Sequence, residues 1–214
     1  MTTRPLVIAV DGPAASGKGT VAEGLARYYA LPYLDTGTLY RAVGLEVLKT
    51  AGDLDDQEAA ARIAAALDSA RIDSEAIRTP EAGEAASRVA AYPGVRAALL
   101  KLQQDFAARP EGAVLDGRDI GTVIAPNATA KLFVTAGAEV RAQRRFLQHQ
   151  ARGEAVTLAE VLADIEKRDA RDAGRGSAPL TMAKDAVLLD TSLLTIEAAA
   201  DAARRIVDQA RART

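Results

Sequence analysis

The chain has 214 residues, with 27 Lys and Arg against 29 Asp and Glu for a net charge of −2, no cysteine and one histidine. That length fits one α/β domain or a core with a small insert, and the near balance of charge gives no global field that would draw nucleic acid or an anionic membrane surface. Without cysteine there are no disulfides, thiolate metal sites or thiol nucleophiles, and His149 has no second imidazole with which to hold a metal, so the chemistry falls to Lys, Arg, Asp and backbone amides.

Met1–Arg4 lead straight into the apolar run Leu6–Val10, too short for a secretion signal, and no stretch approaches the ~18 apolar residues of a membrane span. The expectation is a cytoplasmic protein. Leu6–Val10 reads as the first strand and turns at Asp11-Gly12 into a helix over Lys18–Tyr29. Tyr33–Leu34 reads as a second short strand, closed by Asp35-Thr36-Gly37 and followed by a helix over Leu39–Thr50. From Asp53 to Arg109 the alternation stops: the periodicity predicts helices over Asp56–Leu67, Pro80–Ala91 and Val95–Ala108, an all-helical insert standing on the core. Thr79 before Pro80 supplies a capping hydroxyl and a proline at the first helical position. Strands resume at Ala113–Leu115, Lys131–Val134 and Ala186–Leu189, with helices over Ala138–Arg152, Leu158–Asp172 and Ile196–Ala212; Thr157 and Glu160 fit a capping box. Strands alternating with helices predict an α/β fold with a five-stranded parallel sheet, whose ligand lies beyond the carboxyl ends of the strands. With 48 alanines and only 4% aromatic residues, the helices are expected to pack closely on small side chains.

After the first strand comes Gly12-Pro13-Ala14-Ala15-Ser16-Gly17-Lys18-Gly19-Thr20, which satisfies G-x-x-x-x-G-K and opens a helix. Glycines let backbone N–H groups converge on a phosphate chain, the helix N-terminus adds partial positive charge, and Lys18 reaches the β/γ oxygens. The hydroxyl residue that usually follows the lysine and holds Mg²⁺ is replaced by Gly19, with Thr20 one place on. The GKGT form resembles that of nucleoside monophosphate kinases, a resemblance that implies Mg²⁺ entering as MgATP, held mainly by phosphates and water, with no protein metal ligand assigned. Asp116 closes the third strand, where it either serves the metal site or caps a turn. No N-K-x-D guanine motif is present.

A hydroxyl acceptor needs a base, whereas a phosphate acceptor is already anionic and needs arginines. Arg41, Arg118, Arg168, Arg171 and Arg175 all stand close to the predicted ligand-side turns. Together, Gly12–Thr20, Leu34-Asp35-Thr36-Gly37 with Tyr40-Arg41, Ala90-Ala91-Tyr92-Pro93 with Arg96, Asp116-Gly117-Arg118-Asp119-Ile120-Gly121-Thr122, Arg168-Asp169-Ala170-Arg171-Asp172 and Ala178-Pro179-Leu180 resemble the bacterial cytidylate kinases over nearly the whole chain.

The resemblance implies a P-loop kinase that transfers the ATP γ-phosphate to CMP or dCMP. It implies a core over 1–52 and 110–214, a monophosphate-binding insert over 53–109 and a lid at about 153–178. Residue by residue, Thr36, Arg41, Arg118 and Arg175 would hold the acceptor phosphate, Ser87, Arg96 and Asp119 would read the cytosine, and Arg168 with Asp172 would bind the ribose. Lys18, Arg118 and Arg175 would be catalytic, and Arg141 and Arg144 would face ATP beside the loop Gly12–Thr20. The family's strand-rich excursion is shortened here to Asp68–Ala76, so the insert's small sheet is expected to be reduced or absent. No nucleic-acid or membrane partner is implied, and the chain is expected to work as a monomer. The competing readings are a P-loop kinase for another small acceptor, with Asp116 or Asp119 as base, and a nucleotide-binding regulator without turnover.

Overall fold

The computed structural model describes residues 5–50 and 52–213, so Met1–Arg4, Ala51 and Thr214 lie outside the described residues. Five strands, β1 (Val7–Asp11), β2 (Tyr33–Asp35), β3 (Ala113–Gly117), β4 (Ala130–Thr135) and β5 (Val187–Asp190), form one all-parallel sheet in the order β2-β3-β1-β4-β5. The central position of β1 explains its unbroken apolar run, because both of its faces are covered. Ile8 and Val10 pack with α1 (Lys18–Tyr29) and α8 (Ile196–Arg211) on one face. Val7 and Ala9 pack on the other, against Leu115, Ile120 and Ala107 at the end of α5 (Pro93–Ala107).

The remaining helices are α2 (Thr36–Thr50), α3 (Gln57–Ala65), α4 (Pro80–Val89), α6 (Ala138–Ala151) and α7 (Leu158–Ala173). Capping fixes several ends: Thr79 Oγ1 accepts from Ala82 N at 3.1 Å, and Thr157 and Glu160 form the reciprocal box that their spacing predicts. The start of α2 differs from expectation by three residues. Asp35 acts as its cap, its carboxylate accepting from Gly37 N at 2.9 Å, so Thr36 and Gly37 are drawn into the first turn.

Helices α2 to α5 share an apolar cluster of their own, built on Leu39, Val43, Val89, Val95 and Leu99. Small residues bring two of them together: a Cβ on Gly44 of α2 would stand 2.8 Å from Ala85 of α4. Residues 68–79 form two short 3₁₀ turns, Ser69–Arg71 and Ala76–Arg78, and no strand occurs among the described residues of 53–109. Helices α6 and α7 pack through Ala142, Val161 and Ile165, with Ala15 of the loop after β1 against them. No helix among the described residues is long and apolar enough to cross a membrane.

Candidate active site

Parallel register brings the carboxyl ends of the strands to one edge, where Asp11 lies opposite Gly117, Asp35 opposite Asp116 and Thr135 opposite Asp190. The loop 12–20 leaves this edge over β4. A Cβ on Gly12 would fall 2.0 Å from Val134 O, a separation that only glycine permits, and its φ of +154° adds to the requirement.

Two cavities open beside the loop. One of about 800 Å³ is bounded by the loop, α6, α7 and the start of α8; the other, of about 100 Å³, lies between α2, α4 and the end of β3. The larger is lined by Ala14, Ala15, Gly17, Lys18, Gly19, Thr20 and Arg144 of the residues expected to face ATP. Gly12, Pro13, Ser16 and Arg141 line neither cavity. The smaller is lined by Thr36, Arg41, Ser87, Arg96, Arg118, Asp119, Arg168 and Arg175. Of the expected acceptor residues only Asp172 is set back, 1% exposed, with one oxygen on Arg118 Nε at 2.8 Å and the other on Arg175. Lys18, Arg41, Arg118 and Arg168 line both cavities and so stand where the two meet.

These cations are held in tension. Burial and the neighbouring Arg118 push Lys18 down to about 8, while Asp116 and Asp35 pull it upward. Burial and Arg118 likewise push Arg168 down to about 9. Arg41 is lowered chiefly by burial, as is Arg145, which Arg41 and Arg152 disfavour further. Among the described residues none of Lys18, Arg41, Arg145 and Arg168 has an ion-pair partner. Arg118 differs: burial works against it, but Asp172, Asp116 and Asp35 more than offset this. Burial alone would raise the Asp172 carboxyl, yet Arg118, Arg175 and Arg168 hold it at about 2. Burial raises Asp116 to about 7 against the pull of Lys18, and the neighbouring Asp35 carboxyl raises it further. Its side chain caps no turn; it lies beneath the loop, with Oδ2 3.4 Å from where a Cβ on Gly19 would stand.

In the smaller cavity Arg96 and Asp119 are buried and paired with each other, and Arg96 lies over the Tyr40 ring at 5.7 Å. The Asp119 carboxylate makes no cap to the turn Ile120–Ile124 that follows it. That task falls to Asp11, whose two oxygens accept from Ile120 N and Gly121 N at 2.7 Å each, and which burial raises to about 6. Among the described residues Ser87 Oγ, Arg168 Nε and Arg175 Nε are buried without a hydrogen-bond partner. Polar atoms in that condition beside a cavity mark places for ligand atoms.

Sequence reasoning missed Arg145, Asp11, Asp35 and Thr191 as contributors. Arg145 directly follows Arg144, and a search for every arginine within one turn of Arg141 includes it. Asp11, Asp35 and Thr191 each stand at the end of a strand, the position that places them at the edge where the ligand lies.

The cytidylate kinase family model matches residues 8–209. The cytidylate kinase of Caulobacter vibrioides (strain NA1000 / CB15N) is 67% identical over 207 residues, 97% of each chain. That of Xanthobacter autotrophicus (strain ATCC BAA-1158 / Py2) is 63% identical over 207 residues, 97% of this chain and 99% of the other. Two solved structures share the fold. An uncharacterized protein from Eubacterium ventriosum ATCC 27560 has a TM-score of 0.55 at 14% identity, covering 96% of this chain and 99% of that one. A sugar kinase from Janibacter sp. HTCC2649 has a TM-score of 0.51 at 15% identity, covering 98% of each.

Proposed function

The chain belongs to the cytidylate kinase family, and we propose that it transfers the γ-phosphoryl group of ATP to CMP or dCMP, with the donor in the larger cavity and the acceptor in the smaller. The observation that carries this assignment of cavities is the set of four cations, Lys18, Arg41, Arg118 and Arg168, common to both. Phosphoryl transfer concentrates negative charge between donor and acceptor, and a cluster of largely buried cations, of which only Arg118 has a carboxylate partner, is what that charge requires.

In this reading an oxygen of the CMP phosphate attacks the γ-phosphorus in line, the β,γ-bridge bond breaks, and ADP leaves carrying the electron pair. The acceptor is already anionic, so no base is needed. Lys18 neutralises charge growing on the bridge oxygen. Arg118, fixed by Asp172, and Arg175 hold the acceptor phosphate with Arg41 and Thr36. Ser87 Oγ and the Arg96–Asp119 pair face the base, and Arg168 faces the ribose. Arg144 borders the donor.

Mg²⁺ would enter as MgATP, where it neutralises phosphate charge. Phosphates and water would hold most of its coordination shell. The buried carboxyl of Asp116, one oxygen of which is without a partner, and the half-buried carboxyl of Asp35 are the groups that would receive its waters. Helices α2 to α5 would form the acceptor-binding insert, and α6 with α7 the lid that excludes water. The chain is proposed to work as a monomer. Its proposed place is the cytoplasm, where its substrates are.

The test is ADP release with CMP, dCMP, UMP, AMP and shikimate in turn. CMP and dCMP should be phosphorylated far faster than the others. Preference for another acceptor, or ATP binding with no turnover on any, overturns the reading.

A further inference from the structure

We propose that Arg141 and Thr191 are positioning residues that fix two peptide planes of the phosphate loop by holding their carbonyls, turning the Ala15 and Gly17 amides toward the donor's phosphates. The inference rests on the reading that residues 12–20 hold a nucleoside triphosphate. The Ala14 carbonyl accepts from Arg141 Nη1 at 3.3 Å, and the Ser16 carbonyl accepts from Thr191 Oγ1 at 2.8 Å. A trans peptide is planar, so a carbonyl held on one side sends the next residue's N–H to the other. Ala14, Ala15 and Gly17 border the larger cavity, while Arg141 lines neither. The Arg141 pin therefore acts from the side away from the ligand, while Thr191 borders the larger cavity and holds the Ser16 carbonyl from its edge. They also hold a conformation that needs holding: Ala15 has φ +59°, in the left-handed region that a residue with a Cβ rarely adopts.

Arg141 is committed to this task. It is 5% exposed, donates from Nε to Ala136 O at 2.8 Å, and makes a two-point pair with Asp169 of α7 at 3.1 and 2.6 Å. With the bond to Ala14, four of its five N–H donors are spent on protein oxygens. Thr191 is set in a similar way. Its backbone N already serves Thr135 O at 2.8 Å, and Arg144 donates to its hydroxyl oxygen at 2.9 Å, which leaves the hydroxyl proton to the Ser16 carbonyl at 2.8 Å as the shorter bond, with Thr135 O a second acceptor at 3.1 Å. Because Asp169 belongs to α7, the same fork ties the loop's amides to the position of that helix.

Calorimetric titration of the full chain with a non-hydrolysable MgATP analogue, and separately with CMP, tests this. Thr191→Val and Asp169→Asn should each weaken the analogue about tenfold, the loss expected when one amide bond to a charged phosphate is misaligned. CMP affinity should stay within twofold, and Thr191→Ser, which keeps the hydroxyl, should restore analogue binding to within threefold of wild type. If Arg141 touched phosphate itself, freeing it by Asp169→Asn would leave the analogue bound as tightly or more so, and that result overturns the proposal. Equal loss of both ligands in Thr191→Val overturns it too. Every readout is binding, so a wild-type protein that fails to phosphorylate CMP counts against the proposed function and not against this inference.

Discussion

If Lys18 must be cationic to receive the donor, activity should fail on the alkaline side at an unusually low pH. The structure holds Lys18 at about 8 rather than 10.5, which is about 3 kcal/mol against the charged form in the free protein. A lysine is charged below its pKa, so the competent fraction is high below pH 8 and falls to about one tenth by pH 9. The profile of kcat/KM for ATP, which reports the free enzyme, should therefore lose about tenfold for each pH unit above 8. Bound phosphates supply the counter-charge, so kcat measured at saturation should hold to higher pH. Asp116 gives the reasoning a sharper edge, because its carboxylate raises Lys18 and is itself ionised above about 7. Asp116→Asn should move the alkaline limb down by about one unit, the smaller end of what one close opposite charge does. The assay is coupled ADP release from pH 6 to 10 at low CMP. A profile flat to pH 10, or a limb that Asp116→Asn leaves in place, refutes the account of how Lys18 is tuned.

Base selection should collapse in Asp119→Ala: cytosine donates from its amino group where uracil presents a carbonyl, so the variant should lose CMP activity far more than UMP activity. Equal losses on the two substrates in kcat/KM measurements would make Asp119 a scaffold for Arg96 only. Asp172→Asn should lower stability by about 2 kcal/mol at neutral pH, or about 5 °C in Tm, because the folded carboxyl is held at about 2 against an ordinary 3.8. A depressed carboxylate stabilises above its unfolded pKa and loses that contribution as pH falls, so the gap between wild type and variant should narrow by about half by pH 3; a gap constant from pH 6 to 3 would contradict this. Hydrogen exchange across residues 153–178 should slow when ATP and CMP analogues are bound together, and unchanged exchange at saturation would remove the closing lid from the mechanism.

The strands were legible because each is a short apolar run stopped by a polar turn, and the helices because caps such as Thr79 and Thr157 are local chemistry. The start of α2 was not, since Asp35-Thr36-Gly37 suits a turn and a capped helix equally. What separates the two is the Asp35 carboxylate on Gly37 N, a bond with no signature beyond the residues themselves. The segment around Arg168–Gly176 offers almost no apolar side chain by which sequence alone could place it. Its anchorage is electrostatic and distant in sequence: Asp172 reaches Arg118, and Arg171 reaches Glu84 with bonds of 3.2 and 2.8 Å.

Within the site, the residues that present backbone amides or a hydroxyl could be read from spacing, because a glycine-rich turn after a strand has few other uses. Arginines could not, because their role depends on which acceptors the fold has already given them. Arg141, Arg144 and Arg145 lie within one turn of α6 and carry the same group, yet only the latter two line a cavity. Asp169, 28 positions further on, gives Arg141 a carboxylate partner on both terminal nitrogens, which neither Arg144 nor Arg145 has among the described residues. Asp172 shows the same principle from the acidic side: both of its oxygens are taken by Arg118 and Arg175, so its influence on a ligand passes through those two cations. Charge near a ligand-side turn therefore identifies a cluster, and only the pairing across helices divides it into groups that touch phosphate and groups that aim them.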